Sequence, residues 1–452
     1  MGHFITSKDI PADGEHMAKG KLTLPILACG VIALLGLLAS AYLLFANNPA
    51  HNEPSDIAAG RYAYSWLFAF IFFVSLPLGG CFWLMLHHVS NSGWGVATRR
   101  VMENLATVFP WMGILAIPFL FPQVQQHLFE WMNMHREIMG EDGGVYGNAK
   151  EALHHGHGQF DHMLYAKAFY MNLPFWLGRM IFYFVGLGFC AWVLKGLSVK
   201  QDTDPNPGIK RLVQARKFCA FPSLIILALT VTFLVFDLCK GLDFKWFSTM
   251  YGVYFFAGCA LNGMALLILS TIILRRMGYL QTVMSPEHHH IMGKLTFAFV
   301  VFWAYVTFSQ YFLIWYANIT EETSYFLLRN TENWNIASIA LVFGHFAIPF
   351  LLLIRSDVKK KPNLMIGIIL YLFAIHALDH YLIVAPERGP SLTINNVDGP
   401  SLYAGASVVW MDIVAFLTVG SFFMFFYLRS FTKNSLYPHR DPRILESANL
   451  FN

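Results

Sequence analysis

The chain has 452 residues, of which 56% are hydrophobic and only 13% are charged. A soluble globular domain carries about 25% charged residues, so this composition excludes that class and indicates a polytopic membrane protein. The formal net charge of +4 is small and scattered along the chain, so it does not indicate a nucleic-acid-binding protein.

Ten apolar runs are each long enough to cross a hydrocarbon layer of about 30 Å as a helix. We therefore predict an all-α membrane protein with ten transmembrane helices. The membrane domain covers residues 24–428. It lies between an N-terminal segment, 1–23, which lacks the pattern of a signal peptide, and a C-terminal tail, 429–452. In chain order, the runs are 24–45, 62–86, 102–121, 173–194, 218–238, 249–274, 295–317, 336–354, 364–384 and 407–428.

Lysine and arginine are concentrated in one set of connecting segments. The two termini and the loops after the even-numbered runs contain 22 of the 31 Lys and Arg residues, whereas the loops after the odd-numbered runs contain 8. Cytoplasmic loops of membrane proteins carry the excess of these residues. We therefore predict that both termini lie in the cytoplasm.

The longest loop, 123–172, is then predicted to lie outside the cytoplasm. It contains the sequence HHGHGQFDH at 154–162. Imidazoles at this density could bind a metal ion, or they could belong to a solvated docking loop that binds nothing specific. We favour the docking loop and predict no metal site.

The six cysteines lie at positions 29, 81, 190, 219, 239 and 259, and none forms a C-x-x-C pair. This spacing is not that of a zinc site, an iron–sulfur cluster or a covalently attached c-type haem. We therefore predict that the chain holds no redox centre of its own.

A weak internal repeat runs through the membrane domain. Placing Asp237 on Asp379 aligns the fifth run with the ninth, and small residues occur in mid-span in both the second run, at Gly79 and Gly80, and the sixth, from Gly258 to Gly263. The repeat predicts two four-helix bundles, helices 2–5 and helices 6–9, flanked by helices 1 and 10.

Several ionisable residues fall inside the apolar runs, where a charged group costs a few kcal/mol and needs a partner or a use. His376 and Asp379 are three residues apart and share one helix face. The first interpretation is a hydrated half-channel for protons; the second is a set of wet interfacial or hydrogen-bonded interior groups. The proton-path candidates are Asp237, His345, His376, Asp379 and Asp412.

Two polar residues at the start of the fourth run are candidates for contact with a quinone or a lipid headgroup. Asn172 and Arg179 are seven residues apart, so they lie on the same helix face. The alternative is that Arg179 pairs with an acidic residue of a loop. On the seventh run, Ser309 and Gln310 have no water to satisfy them in lipid, so we expect both to face other helices.

Four segments carry a resemblance to a known family. They are AKAFYMNLPFWLGR at 166–179, FKWFSTMYGVYFFAG at 244–258, GKLTFAFVVFWAYVTFSQYFLIWYANITEE at 293–322 and DPRILES at 441–447. These segments resemble the ActF-type membrane subunit of bacterial alternative complex III, a quinol:electron acceptor oxidoreductase. The subunit is of the NrfD or polysulfide-reductase membrane-anchor type. The histidine-rich segment 154–162 departs from the family pattern.

The resemblance implies a multi-pass subunit of the bacterial inner membrane. Its partners would be an NrfD-like sister subunit, periplasmic subunits carrying haem c and iron–sulfur clusters, and a terminal oxidase. It also implies contact with a quinone such as menaquinone and a proton-conducting role for the five candidates above. Two other classes stay open: a b-type haem anchor, for which His345 and His376 are the deep pair, and a secondary transporter.

Overall fold

The computed structural model describes residues 4–45, 54–132, 164, 166–204, 207–331, 334–388 and 409–451. This part of the chain is helical and contains no strand. Nine of its helices are long and apolar enough to cross a membrane, which agrees with an all-α multi-pass membrane protein. The histidine-rich segment 154–162, with most of the loop 123–172, lies outside the described residues.

The helices are labelled here in chain order, and each long apolar helix corresponds to one predicted run. Within the described ranges they are α1 Thr23–Phe45, α2 Pro54–Ser90, α3 Arg99–Ala106, α4 Phe109–Leu115, α5 Pro122–Leu128, α6 Leu173–Asp202, α7 Lys210–Leu242, α8 Tyr251–Arg276, α9 Pro286–Ala317, α10 Thr320–Leu328, α11 Trp334–Leu353, α12 Ser356–Lys360, α13 Pro362–Val384, α14 Val409–Ser430 and α15 Ile444–Ala448.

The third predicted run, 102–121, is not one continuous helix. It is divided between α3, α4 and a 3₁₀ turn at Ile117–Leu120. Pro110 lies in the first turn of α4 and Pro118 in the first turn of the 3₁₀ segment. Proline has no backbone N–H and its ring clashes with the preceding turn, so each proline begins a new segment instead of continuing the old one.

Helices α2 and α8 form the centre of the molecule and cross at their glycines. A Cβ added at Gly263 would lie 2.8 Å from the Cα of Gly79, so only hydrogen fits between the two backbones. Around this crossing, α8 also contacts α7, α9 and α13, while α14 packs against α1 and α2. The small residues of the second and sixth runs are therefore packing residues.

Replacing Gly79 by alanine is expected to destabilise the protein by about 1–3 kcal/mol, because the added methyl meets backbone atoms that cannot rotate away. Gly196→Ala in α6 is the matched control, since no heavy atom lies within 4 Å of its added Cβ. Detergent-induced unfolding, followed by circular dichroism, measures both variants. Equal stability of the two variants would contradict the close crossing.

The two ends of the chain are in contact with each other. The backbone N–H of Leu436 donates to the Glu15 carbonyl over 2.7 Å, and the N–H of Ile5 donates to Asn449 Oδ1 over 2.8 Å. The Glu15 carboxylate also accepts from the backbone of Leu280, in the loop after α8, over 2.6 Å. Both termini therefore lie on the same side of the molecule as this loop.

A buried ion network joins the C-terminal tail to the same side. Arg99 and Arg100, at the start of α3, flank Glu103, and all three side chains are buried. Arg99 pairs with Asp441 of the tail and Arg100 with Asp202 at the end of α6, each over 2.5 Å. The tail is thus held against the ends of α3 and α6.

Two of the long helices contain a π-helical segment, Tyr183–Leu187 in α6 and Val342–Ala347 in α11. In α7, the chain is kinked at Cys219–Ser223, where Phe221 has extended backbone angles before Pro222. A π segment inserts an extra residue per turn and turns the following side chains to a new face, and such segments are frequent at functional sites. The segment in α11 contains His345.

Candidate functional site

Asp379 is the buried acid around which the candidate site is built. It lies on α13, five residues before the last residue of the helix, Val384, and its exposed fraction is 2%. The Tyr254 hydroxyl of α8 donates to Oδ1, and the Trp303 indole N–H of α9 donates to Oδ2 over 3.2 Å. Three helices therefore hold this carboxylate.

Two histidines extend the site from Asp379 into the protein. His376 Nδ1 lies 3.5 Å from Asp379 Oδ2 and 3.1 Å from His345 Nε2. The imidazole of His345 stacks on the Trp303 indole, with 3.7 Å between the ring centroids. His345, His376 and Asp379 are thus brought together, and we call them the His–His–Asp triad.

Glycine makes room for this arrangement. A Cβ added at Gly258 of α8 would lie 2.6 Å from His376 Cε1. The small-residue segment from Gly258 to Gly263 therefore has two roles. Gly263 allows the close approach of α2, and Gly258 leaves space for the His376 ring.

No fixed positive charge is paired with Asp379 among the described residues: its partners are a phenol, an indole and an imidazole. His345 Nε2 and His376 Nδ1 face each other and share one hydrogen bond. The second nitrogen of each ring, His345 Nδ1 and His376 Nε2, has no hydrogen-bond partner in the described part of the chain. A carboxylate without a fixed cation, beside imidazoles with a free nitrogen, can accept and pass on a proton.

Asp237 lies in a different environment. On α7, it receives both Arg179 Nε over 2.9 Å and Arg179 Nη2 over 2.8 Å, and it accepts from the Tyr183 hydroxyl over 2.6 Å. A bidentate arginine compensates the charge of a buried carboxylate and satisfies both of its oxygens. Asp237 is therefore a partner in a buried ion pair, outside the His–His–Asp triad.

Asp412 is also paired with a buried arginine. Arg388 follows α13 and donates to Asp412 near the start of α14, and it reaches Ser65 Oγ of α2 over 3.1 Å. The exposed fractions are 7% for Arg388 and 6% for Asp412. The five proton-path candidates thus divide into one cluster of three and two separate ion pairs.

The two candidates for quinone or headgroup contact have partners within the chain. Asn172 caps α6 by accepting from the Phe175 backbone N–H over 3.0 Å, and this bond satisfies a free donor of the first helical turn. Arg179 pairs with Asp237 of a membrane helix, not with an acid of a loop. Contact of either residue with a quinone stays a prediction.

A cavity of about 640 Å³ lies directly beside Asp379. Helices α8, α9, α10, α11 and α13 contribute to its walls, which are mostly apolar and aromatic. Asp379 and Gln310 are among its few polar lining groups, and Gln310 is buried, as predicted for a residue that faces other helices. Cavities of roughly 300–1,000 Å³ with a few polar groups are typical of small-molecule sites.

The cavity opens sideways, between α9 and α11. Its lining residues Tyr305, Phe308, Ile339 and Val342 are each more than half exposed. These apolar side chains are on the faces of membrane-spanning helices, so the opening faces the region that lipid tails occupy. A lipid-soluble molecule can therefore reach Asp379 from the side.

An arginine lies at the end of the cavity next to the C-terminal end of α13. Arg329, which follows α10, donates to the carbonyls of Leu382 and Ile383 over 2.8 Å each, and it pairs with Glu387 over 3.0 Å. These bonds satisfy carbonyls at the C-terminal end of α13. Arg329 therefore fixes the helix that carries Asp379.

The haem interpretation does not fit the two deep histidines. Two axial haem ligands bind iron from opposite faces of the porphyrin, so a macrocycle must lie between their rings. His345 and His376 are in direct hydrogen-bond contact, and Trp303 covers the face of the His345 ring. The arrangement therefore disfavours a bis-histidine haem at this position.

The sequence indicated the triad residues but not the groups that complete the site. Tyr254 and Trp303 looked like ordinary aromatic residues of a membrane helix, and Arg329 was one basic residue of a loop. The segments 244–258 and 293–322, singled out for their resemblance, contain Tyr254 and Trp303.

No family model matches the chain, and no curated protein matches it either.

Proposed function

We propose that this chain is the ActF-type integral membrane subunit of an alternative complex III, a quinol:electron acceptor oxidoreductase of the bacterial inner membrane. Its part in the complex is to bind a quinol or quinone in the cavity beside Asp379 and to conduct protons through the triad. The observation that carries the proposal is an apolar, laterally open cavity that ends on a buried carboxylate without a fixed cation.

The cavity has the chemistry that a quinol requires. The aromatic walls can pack against the quinone ring and its isoprenoid tail, and the opening between α9 and α11 faces the lipid in which quinols diffuse. A quinol hydroxyl at the inner end would meet Asp379 as a hydrogen-bond acceptor. Asp379 would take up the proton as a general base, and the electrons would pass to the haem c and iron–sulfur groups of the proposed partner subunits, because this chain is proposed to hold no redox centre.

The proposed topology has ten membrane crossings. One of them is the broken segment formed by α3, α4 and the 3₁₀ turn at Ile117–Leu120. Contact between the two termini supports an even number of crossings, because an odd number would separate them by the membrane. The excess of Lys and Arg on the side of the termini supports a cytoplasmic location for both.

The proposed architecture has two four-helix bundles, formed by the second to fifth and the sixth to ninth crossings. Contacts of α8 with α9 and α13 support the second bundle, and α2, α3, α6 and α7 make mutual contacts that support the first. The fourth and eighth crossings, α6 and α11, each contain a π segment, as expected of repeats. Asp237 and Asp379 then occupy equivalent helices, but only Asp237 is paired with arginine.

Filling the cavity tests the proposal. Ala304→Trp places a large ring on the cavity wall and is expected to weaken binding of a radiolabelled short-chain menaquinone about 10-fold or more, or 1.4 kcal/mol. Ala298→Trp is the control, because Ala298 lies on the exposed surface of the same helix and does not line the cavity. Equilibrium binding in nanodiscs measures both variants.

Two results would contradict the quinone site. One is equal menaquinone binding by the two tryptophan variants and the unaltered chain. The other is substrate uptake by liposomes that contain this chain alone, because that result would favour a secondary transporter.

The proposal also includes partners for this chain: an NrfD-like sister subunit and periplasmic subunits that carry haem c and iron–sulfur clusters. Co-purification from the native membrane would identify them.

A further inference from the structure

We propose that His345, His376 and Asp379 form a binding site for a divalent transition-metal ion, for which zinc is the probe. The proposal stands on the geometry of the triad and does not depend on quinol binding. The metal ion would be a second ligand, bound where the cavity meets Asp379. There, a metal ion and a proton would compete for the same three side chains.

Two of the three donor–donor separations in the triad match those around a bound metal ion. Zinc binds imidazole nitrogen at about 2.0–2.1 Å and carboxylate oxygen at about 2.0–2.2 Å, so two donors of a tetrahedral site lie about 3.3 Å apart. In the triad, the two imidazole nitrogens are 3.1 Å apart, and His376 Nδ1 is 3.5 Å from Asp379 Oδ2. All three donor atoms lie within 4.8 Å of one another.

The chemistry of the donors fits the same class of ion. Imidazole nitrogens are the usual ligands of zinc, copper, nickel and iron, and the single carboxylate offsets part of the charge of a divalent ion. The site is built on buried segments of α11 and α13, and the Trp303 stack and Gly258 fix the two rings. A metal ion would therefore need little rearrangement of its ligands.

The cavity leaves one side of the site open for a fourth ligand. Asp379 lines the cavity, whereas the two histidines lie behind it. A site with three protein ligands leaves one position open to water or another small molecule, as in catalytic zinc sites. Metal binding requires an ionised carboxylate and unprotonated facing nitrogens, so the affinity should fall as the pH is lowered.

Cobalt absorption tests the site in the full-length chain without a polyhistidine tag. The background carries His154→Asn, His155→Asn, His157→Asn and His162→Asn, because these loop imidazoles are competing ligands. We expect Co²⁺ to give a ligand-field absorption band at one equivalent per chain, with Zn²⁺ displacing it. His345→Gln and His376→Gln should each weaken Co²⁺ binding about 100-fold or more, since loss of a ligand exceeds the usual 10–100-fold effect of losing a supporting residue.

His380→Gln is the matched control, because His380 is equally buried on α13 but is not one of the three donors. It should keep the Co²⁺ band. Equal binding by the His345→Gln variant and the background protein, or no binding by the background protein, would overturn the metal site. Menaquinone binding is measured separately in the same samples, so failure of the metal site and failure of the quinone site give different results.

X-ray absorption of the zinc-loaded background protein gives a second test that needs no change to the triad. The expected shell has two imidazole nitrogens and a carboxylate oxygen, at about 2.0–2.2 Å. A shell with sulfur, or with oxygen alone, would overturn the proposal even if the histidine variants failed to fold.

Discussion

Replacing Asp379 by asparagine is expected to lower the rate of proton movement coupled to quinol oxidation by about 100-fold or more, while the complex still assembles. The asparagine side-chain oxygen can accept from the Trp303 indole N–H, and its NH₂ group can donate to the Tyr254 hydroxyl oxygen, so both contacts and the packing are kept. It cannot take up a proton at neutral pH. The loss therefore falls on proton transfer and not on folding.

The measurement is the proton-to-electron ratio and turnover of the purified complex in liposomes. Asp357→Asn is the control for the chemical change, because Asp357 is an exposed residue outside the membrane helices. An unchanged ratio in a fully assembled Asp379→Asn complex would remove Asp379 from the proton path.

The same substitution at Asp237 is expected to lower the stability of the protein instead of the rate of proton transfer. Asp237→Asn leaves the buried Arg179 guanidinium without its bidentate partner, and loss of one member of a buried pair costs about 3–5 kcal/mol. We expect a large fall in stability, with loss of function only as a consequence of unfolding. Detergent-induced unfolding, followed by circular dichroism, measures the change.

A double variant separates the ion pair from other causes. Arg179→Gln combined with Asp237→Asn removes both charges, so it should recover much of the stability that the single change loses. If the single Asp237→Asn variant were as stable as the unaltered chain, the buried pair would not be holding α6 and α7 together.

The contrast between Asp237 and Asp379 explains what the sequence could reveal about the site. Each acid was visible as an ionisable group inside an apolar run, and their alignment in the repeat was visible too. Their different roles depend on which helices they face, and no local pattern encodes that. Arg179 precedes Asp237 by 58 residues, and Trp303 precedes Asp379 by 76.

The fold was more predictable than the site, because membrane crossings depend on local composition. Nine of the ten apolar runs correspond to long helices in the described part of the chain. The exception, 102–121, contains two prolines that begin new segments inside one apolar stretch. Hydropathy measures only the apolar length, so it did not separate a continuous helix from a broken one.

The positions of the π segments could not be predicted from the sequence either, because they depend on packing between helices. In α11, the segment Val342–Ala347 carries His345 toward His376. Periodicity at 3.6 residues per turn does not indicate where one extra residue is inserted. The contact between the two histidines therefore had to be read from the structure.

The central claim is that a quinol occupies the cavity beside Asp379, and photolabelling tests it most directly. A photoreactive menaquinone analogue is irradiated with the assembled complex in native membranes, and the labelled peptides are identified by mass spectrometry. We predict labels on the cavity segments of α9 and α11, around Ala304 and Val342, that excess menaquinone prevents. Labels confined to partner subunits, or to surfaces of this chain outside the cavity, would contradict the claim.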